Sequence, residues 1–188
     1  MIIPNHTTPT PTQVQELVVL VDENDHEIGF MEKMEAHEKA VLHRAFSLFV
    51  FNSKGEMLLQ QRAYHKYHSG GLWTNACCSH PRPNEKVEAA AARRIQEEMG
   101  ISCEEINYAF SFVYKAALDK NLTEHELDHV LIAYYEDVCK INKEEVADFQ
   151  YVSIEQIRKD LLECPQNYTA WFKIIFERVV TYYQLIGK

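Results

Sequence analysis

The most informative stretch of the chain reads WTNACCSHP from Trp73 to Pro81, continues to Glu85, and then reads RRIQEEMGI from Arg93 to Ile101. It joins a nucleophilic or acidic thiol, an imidazole of the kind that binds metals, and a segment rich in carboxylates. The alanine-rich middle predicts a helix from Glu85 to Met99, and Gly100 suits its C-terminal cap. This combination of groups points to chemistry on a diphosphate.

Length and composition predict a globular chain with an acidic surface. The 188 residues are 46% hydrophobic and 11% aromatic, which is enough for one domain with a substantial core. A formal net charge of -9 and a pI near 5.5 disfavour nucleic acid and anionic membranes as partners, because the field of the protein would repel both. An anionic ligand would therefore need local cations or a metal.

Targeting signals and cysteine usage favour a cytoplasmic location. No segment approaches the roughly 18 apolar residues needed to span a bilayer, and the start, MIIPNHTTPTPTQ, lacks the basic and apolar regions of a secretory signal. The five cysteines form no paired framework, so we expect reduced thiols. We predict a cytoplasmic protein that is a monomer or a weak dimer.

The chain divides into a short leader and one domain. Residues 1–13, rich in Thr and Pro, are predicted to form a mobile leader. Residues 14–188 are predicted to form a single α+β domain, with mainly antiparallel or mixed β-sheets flanked by helices. The predicted strands are 16–22 and 28–31, paired as a hairpin, 45–51 and 57–61, paired as a second hairpin, and then 106–117, 129–139 and 149–152. The predicted helices are 85–99, 153–162 and 169–186.

Five residues have side chains that suit a divalent-metal site: His37, His43, His80, Glu124 and Glu126. Glu124 and Glu126 are two apart, so a regular strand would project both carboxylates from one face, as joint ligation requires. Mixed imidazole and carboxylate ligands suit Mn, Fe or Zn, and oxygen-rich sites suit Mg. Spacing alone favours the alternative, in which His37 and His43 are surface residues and 124–126 is a solvated loop, because none of these gaps is a diagnostic metal motif.

Cys78 is a candidate for proton transfer or nucleophilic chemistry. It lies two residues before His80, so a strand would place both side chains on one side. The unperturbed thiol pKa of about 8.5 can move toward neutrality near cations or a metal. The alternative is a buried structural thiol, since free cysteine behaves as a small hydrophobe. Cys77, which points to the opposite face, is predicted to be structural.

The predicted helix offers a second set of charged groups. Arg94 and Glu98 are four apart and share one helical face. They are either an ordinary ion pair worth a few tenths of a kcal/mol, or a site in which Glu98 holds a hard cation and Arg94 binds phosphate oxygens. Lys33, Arg62 and Lys66 are further candidates for anion contacts.

Two aromatic residues, Tyr114 and Trp171, have two interpretations. Each can be a core residue, which is the usual place of a single aromatic side chain. Each can instead face a reacting centre, where an indole stabilises positive charge by about 2 kcal/mol when it is desolvated.

The helix segment resembles the Nudix box, whose general form is G-x5-E-x7-R-E-U-x-E-E-x-G-U, with U an aliphatic residue. The matching positions are Glu85, Arg93, Ile95, Glu97, Glu98, Gly100 and Ile101. Ser79 stands where the box has Gly, and Arg94 replaces the first acidic residue of R-E-U-x-E-E. Nudix hydrolases use the box carboxylates to assemble the metals that activate water, so a cation at this position weakens a hydrolase interpretation.

The same departures, together with other motifs, resemble the type I isopentenyl diphosphate isomerases. The motifs are LHRAFS at 42–47, LLQQR at 58–62, TNACCSHP at 74–81 and TEHE at 123–126. The resemblance covers about residues 16–180, and the combined motifs are far more specific than any one of them. It implies a Nudix-like α+β domain.

The resemblance also implies a role for each candidate residue. The family's octahedral metal ligands correspond to His37, His43, His80, Glu124 and Glu126, with Mn, Mg or Zn as the metal. Cys78 and Glu126 correspond to the two proton-transfer residues, Tyr114 to the residue that assists Glu126, and Trp171 to the indole that faces the developing cation. The diphosphate contacts correspond to Lys33, Arg62, Lys66 and Arg94, and the ligand of a Mg that bridges to the diphosphate corresponds to Glu98.

The implied reaction interconverts isopentenyl and dimethylallyl diphosphate, a small-molecule step in the biosynthesis of isoprenoid precursors. One proton adds to the terminal alkene carbon to give a tertiary carbocation-like species, and a different proton is then removed. Two acid–base groups must therefore flank the substrate. Two alternatives remain open at this stage: a Nudix hydrolase of a nucleoside diphosphate derivative, and a catalytically silent metal-binding or ligand-sensing domain.

Overall fold

The computed structural model describes residues 16–187. These residues form nine strands in one mixed sheet and four α-helices, joined by loops and short turns. The strands are β1 (Leu17–Val21), β2 (Glu27–Glu32), β3 (His43–Phe51), β4 (Met57–Arg62), β5 (Trp73–Asn75), β6 (Cys77–Ser79), β7 (Ile106–Ala117), β8 (Thr123–Tyr134) and β9 (Val146–Val152). The helices are α1 (Lys33–Lys39), α2 (Val87–Met99), α3 (Ile154–Glu163) and α4 (Ala170–Ile186). The leader predicted for residues 1–13 lies outside the described residues.

Strand β3 carries the pairings that assemble the site. Along one edge it pairs in parallel with β8, so that His43 lies opposite Glu126. It also pairs antiparallel with β6, which brings Ser47 opposite Cys78. Strand β7 continues the sheet beyond β8 in the antiparallel direction. Segments that are far apart in the sequence therefore meet at β3.

Alternating side chains of β3 contribute to two hydrophobic cores. Phe49 and Phe51 belong to a core that includes the apolar residues of α4. Phe46 and Leu48 belong to a second core that includes the apolar residues of α2. Successive side chains of a strand point to opposite faces, so the sheet is packed on both sides. Burial of each such side chain contributes about 1.5–3 kcal/mol to the stability of the fold. Strand β3 is therefore held in place on both faces.

Most of the predicted elements are confirmed, with small shifts at their ends. Strands β1 and β2 pair antiparallel, and β3 and β4 meet at Phe51 and Met57. Helix α2 begins at Val87, two residues later than predicted, and ends before Gly100, which is left-handed at φ 64°. Ser153 caps α3 by accepting a hydrogen bond from the Gln156 amide. Within residues 16–187, no helix is long and apolar enough to span a membrane.

The largest error of prediction concerns β8, which runs from Thr123 to Tyr134 and not from 129 to 139. The acidic residues Glu124, Glu126 and Asp128 lower the apparent strand propensity of its first half. Their spacing of two nevertheless puts them on one buried face of the strand. Helix α1 was not predicted, because seven residues are too few to show a helical period.

Candidate active site

Imidazole and carboxylate side chains gather where β3 and β8 begin, in a group that we call the histidine cluster: His37, His43, His80, Glu124 and Glu126. His37 comes from α1, His80 follows β6, and the others come from the starts of β3 and β8. One ligand atom from each of His37, His43, His80 and Glu126 lies within 4.8 Å of the other three. Glu124 Oε2 lies 3.0 Å from His37 Nε2. The structure thus brings all five residues together.

Backbone carbonyl groups orient two of these imidazoles. His37 Nδ1 donates to the Lys33 carbonyl at 2.6 Å, and His43 Nδ1 donates to the Val41 carbonyl at 2.8 Å. Because Nδ1 carries the proton, each Nε2 directs its lone pair into the cluster. His43 Nε2 then lies 3.2 Å from His80 Nε2. Such fixed tautomers are typical of metal-binding histidines.

Unpaired polar atoms in the cluster test whether a metal fits. His37 Nε2 and Glu124 Oε2 are buried and 3.0 Å apart, yet neither forms a hydrogen bond. Leaving a buried polar group unsatisfied costs about 1–3 kcal/mol. A cation would satisfy both atoms at once, and mixed imidazole and carboxylate donors suit divalent transition metals. The residues of the histidine cluster therefore fit a divalent metal ion.

Glu126 connects the histidine cluster to Tyr114. Its Oε1 lies 2.9 Å from His80 Nε2, and its Oε2 accepts a hydrogen bond from the Tyr114 hydroxyl at 2.6 Å. Burial opposes ionisation, but contacts with His43 and His80 hold the pKa of Glu126 well below its usual value. Burial and the adjacent Glu126 raise the pKa of Glu124. Glu126 thus presents one oxygen to the cluster and the other to Tyr114.

Cys78 lines the same cleft from β6. Its thiol donates to Asn75 Oδ1 at 3.0 Å and lies 3.5 Å from Ser47 Oγ. Burial, with the nearby Asp128, raises the pKa of Cys78 to about 12. The neighbouring Cys77 is fully buried in the core beneath α2. The two adjacent thiols therefore have different environments.

Three basic residues, Arg62, Lys66 and Arg94, line another part of the cleft, and we call them the basic cluster. Arg94 donates to Glu98 Oε1 at 2.7 Å, and Lys66 pairs with Glu145. The Nε atoms of Arg62 and Arg94 are buried without a hydrogen-bond partner. Unpaired donors of this kind suit the oxygens of an anion.

Three other predicted residues also line the cleft. Glu98 is almost fully buried and accepts a hydrogen bond from the Gln60 amide at 3.0 Å. Lys33 pairs with Glu16 at 3.1 Å. Trp171, in the first turn of α4, lies 5.3 Å from the Arg62 guanidinium, measured to its ring centroid. These three side chains therefore border the same cleft as the two clusters.

His68 is a site residue that sequence reasoning missed. It is buried, its Nε2 lies 3.5 Å from Glu124 Oε1, and its ring meets that of Trp171 edge-on with centroids 5.8 Å apart. Ligand atoms of His37, His68 and Glu124 lie within 4.8 Å of one another. Burial and the charge of Arg62 lower the pKa of His68 to about 2, so the ring is neutral. Its only sequence signal was its position in the loop between Lys66 and Trp73.

Two other acidic residues, the buried Asp128 and the partly buried Glu145, were also missed. Asp128 accepts a hydrogen bond from Ser47 at 2.8 Å, and burial and Glu126 raise its pKa well above the usual value. The spacing of two that relates Glu124 to Glu126 extends to Asp128 and could have found it. Glu145 lies just before β9, and no sequence pattern marks its contact with Lys66.

Comparisons with known proteins agree with the arrangement of the strands. The NUDIX domain family matches residues 41–172. The structure of DR0079 from Deinococcus radiodurans superposes with a TM-score of 0.72 over 87% of this chain and 98% of that one, at 16% identity, so the likeness concerns the fold alone. The fold and the box therefore define a protein of the Nudix class.

Two curated relatives narrow this class. The chain is 50% identical over 167 residues to an isopentenyl-diphosphate Delta-isomerase of Pectobacterium atrosepticum, covering 89% of this chain and 93% of the relative. It is 45% identical over 174 residues to isopentenyl-diphosphate Delta-isomerase 2 of Aromatoleum aromaticum, covering 93% and 92%. The chain belongs to the type I isopentenyl diphosphate isomerase family of the Nudix superfamily.

Proposed function

We propose that this protein interconverts isopentenyl diphosphate and dimethylallyl diphosphate for the biosynthesis of isoprenoid precursors. The observation that carries the proposal is one cleft lined by Cys78, by Glu126 with its Tyr114 hydrogen bond, and by the basic cluster. The activity named for the relatives supports the choice of substrate.

Moving the double bond requires one proton to be added and another to be removed. Protonation of the terminal alkene carbon leaves a tertiary carbocation-like species, and loss of a proton from the methylene on the diphosphate side gives the isomer. Cys78 and Glu126 belong to different strands that both pair with β3, so two acid–base groups reach one cleft. Because the reaction is reversible, the group that donates a proton in one direction removes it in the other.

The carbocation-like species must be stabilised and kept away from water. Trp171 is buried at the cleft, and a desolvated indole stabilises a positive charge by about 2 kcal/mol. The Tyr114 hydroxyl holds one oxygen of Glu126, which restricts the orientation of the carboxyl group. These two residues thus favour isomerisation over capture of the cation by water.

Metal ions have two places in the proposal. The histidine cluster would hold Mn, Mg or Zn, whose charge would orient Glu126 and tune its acidity. Glu98 would hold a Mg that accompanies the substrate. Lys33, Arg62, Lys66 and Arg94 would contact the diphosphate oxygens, and the unpaired Nε donors of Arg62 and Arg94 support this role.

The test is to incubate the protein with isopentenyl diphosphate and Mg in deuterated water and to follow the products by NMR. We expect dimethylallyl diphosphate with deuterium in a methyl group and no release of phosphate. Phosphate release without isomerisation would instead favour a Nudix hydrolase. An unchanged substrate with metal bound would favour a silent metal-binding domain.

Two adjacent cysteines provide a matched pair of variants for the same assay. Cys78→Ala is expected to lower turnover by about 1,000-fold or more while substrate binding persists, since a proton-transfer group contributes about 100- to 10,000-fold. Cys77→Ala removes a thiol from the core beneath α2 and is expected to keep nearly full turnover. Near-normal turnover of Cys78→Ala would contradict the role given to this residue.

Location and assembly remain predictions. We infer a cytoplasmic enzyme from the sequence, and we expect a monomer or a weak dimer that does not bind nucleic acid or membranes. Sedimentation of the purified protein would measure its oligomeric state.

A further inference from the structure

Thr74 and Asn75, at the start of the TNACCSHP motif, are polar residues that lie completely out of solvent on β5. Neither lines the cleft itself. Their side chains nevertheless connect two residues that do, Cys78 and Trp171. Trp171 Nε1 donates to Thr74 Oγ1 at 2.9 Å, Thr74 Oγ1 donates to Asn75 Oδ1 at 3.0 Å, and Cys78 Sγ donates to the same oxygen at 3.0 Å. A continuous hydrogen-bonded chain therefore runs from the indole to the thiol.

The direction of each hydrogen bond in this chain follows from its ends. The Asn75 amide nitrogen donates to the backbone carbonyls of Leu48 and Cys77, both at 3.0 Å, so Oδ1 can only accept. The Trp171 indole can only donate. Thr74 must therefore accept from Trp171 and donate to Asn75. One rigid amide thus receives both the Thr74 hydroxyl and the Cys78 thiol.

The same residues attach the start of α4 to the sheet. Thr169, which precedes the first residue of α4, has its hydroxyl 3.1 Å from Thr74 Oγ1, and its amide donates to the Trp73 carbonyl at 3.0 Å. The Thr74 hydroxyl has one proton and two lone pairs. It donates the proton to Asn75 and accepts from Trp171 and Thr169, so its hydrogen-bonding capacity is fully used. Removing its hydroxyl would leave the Trp171 indole without an acceptor and Asn75 with one donor fewer.

We propose that Thr74 and Asn75 are positioning residues, which set the Cys78 thiol and the Trp171 indole relative to each other across the substrate. This inference rests on the proposed function, because the alignment of an acid–base group with a cation-stabilising ring matters only for that reaction. A misplacement of about 1 Å in such a pair can cost about 100-fold in rate. The two residues act through their neighbours and do not touch the substrate.

The test compares Thr74→Val, Thr74→Ser and Thr169→Val, with kcat, KM and thermal midpoint measured for each. Thr74→Val keeps the side-chain shape but loses the hydroxyl, so we expect kcat to fall about 10- to 100-fold with KM within about threefold. Thr74→Ser restores the hydroxyl and is expected to recover most of kcat. Thr169→Val removes an equally buried hydroxyl that donates to Thr74 but does not lie between the indole and the thiol. It should lower the thermal midpoint while keeping kcat within about threefold.

Equal kcat values for Thr74→Val and Thr169→Val would overturn the proposal, because a loss of stability alone would then explain both. Should Thr74→Val fold poorly, Trp171→Phe with and without Thr74→Ala measures the coupling directly. We expect Thr74→Ala to lower kcat much less in the Trp171→Phe variant than in the wild type. Fully additive effects on kcat would reject a shared chain. A wild-type protein that does not isomerise would instead reject the proposed function, so the two failures are distinguishable.

Discussion

The histidine cluster and the basic cluster lie in one cleft but suit ligands of opposite charge. In the histidine cluster the buried atoms without a hydrogen-bond partner include His37 Nε2 and Glu124 Oε2. The first offers a lone pair and the second is a carboxylate oxygen, so both suit a cation. In the basic cluster the unpaired atoms are the Nε donors of Arg62 and Arg94, which need an anion. One ligand that carries negative charge at one end, together with a metal, satisfies both.

Local pairing of charged side chains, and not the net charge of the protein, determines which ligand each cluster suits. The protein has a formal charge of -9, yet three basic side chains lie together in one cleft. Two of them form ion pairs, Arg94 with Glu98 and Lys66 with Glu145. The arrangement of the two clusters would thus fix which end of the substrate faces Glu126.

Among the variants that compare the two clusters, His43→Gln in the histidine cluster should change the most properties. We expect the metal content to fall, the unfolding temperature to fall with it, and turnover to drop by about 100-fold or more, since even outer partners of a metal site cost 10- to 100-fold. Metal analysis and a thermal scan measure this. His26→Gln, in the exposed β1–β2 turn, is the control and should change none of these quantities. Full metal occupancy in His43→Gln would show that the cluster is not the metal site.

A smaller effect is expected from the basic cluster with Arg94→Met. Loss of a charge-assisted contact costs about 1.5–3 kcal/mol, so KM for the diphosphate should rise about 10- to 100-fold while metal content stays constant. Its neighbour Arg93 points instead to Glu85, with two hydrogen bonds of 2.8 Å. Arg93→Met should therefore leave KM within about threefold. An equal rise in KM for both variants would mean that the anion site is not local to Arg94.

The smallest effect concerns the Arg93–Glu85 pair, which is partly buried and lies outside both clusters. Hydrogen bonds from Arg93 hold the pKa of Glu85 below its usual value. A lowered carboxyl pKa contributes stability above the unfolded-state pKa, and this stability is lost as pH falls through the folded-state pKa. Glu85→Gln should cost about 1 kcal/mol in urea unfolding at neutral pH and progressively less in acid. A difference that does not depend on pH would rule out the ionic contribution.

Local patterns predicted which candidate side chains share a face, and the family resemblance implied their roles. The spacing of two between Cys78 and His80, and between Glu124 and Glu126, describes residues that do lie in or next to strands. The same reasoning failed for His68, which lies in an irregular loop where no period relates it to a neighbour. It also failed for the limits of β8, because acidic residues in a buried strand contradict the usual propensities.

The sequence by itself determined which chemical groups are present and how they are spaced within single helices and strands, because periodicity is a local property of the backbone. Only the tertiary structure decided which groups meet. His43 reaches Glu126 because β3 and β8 pair in parallel in one register, and Cys78 comes to lie beside Ser47 because β6 pairs antiparallel with β3. These registers depend on how the two cores pack on the faces of the sheet, and a slip of one residue would turn the site side chains of the shifted strand to the opposite face.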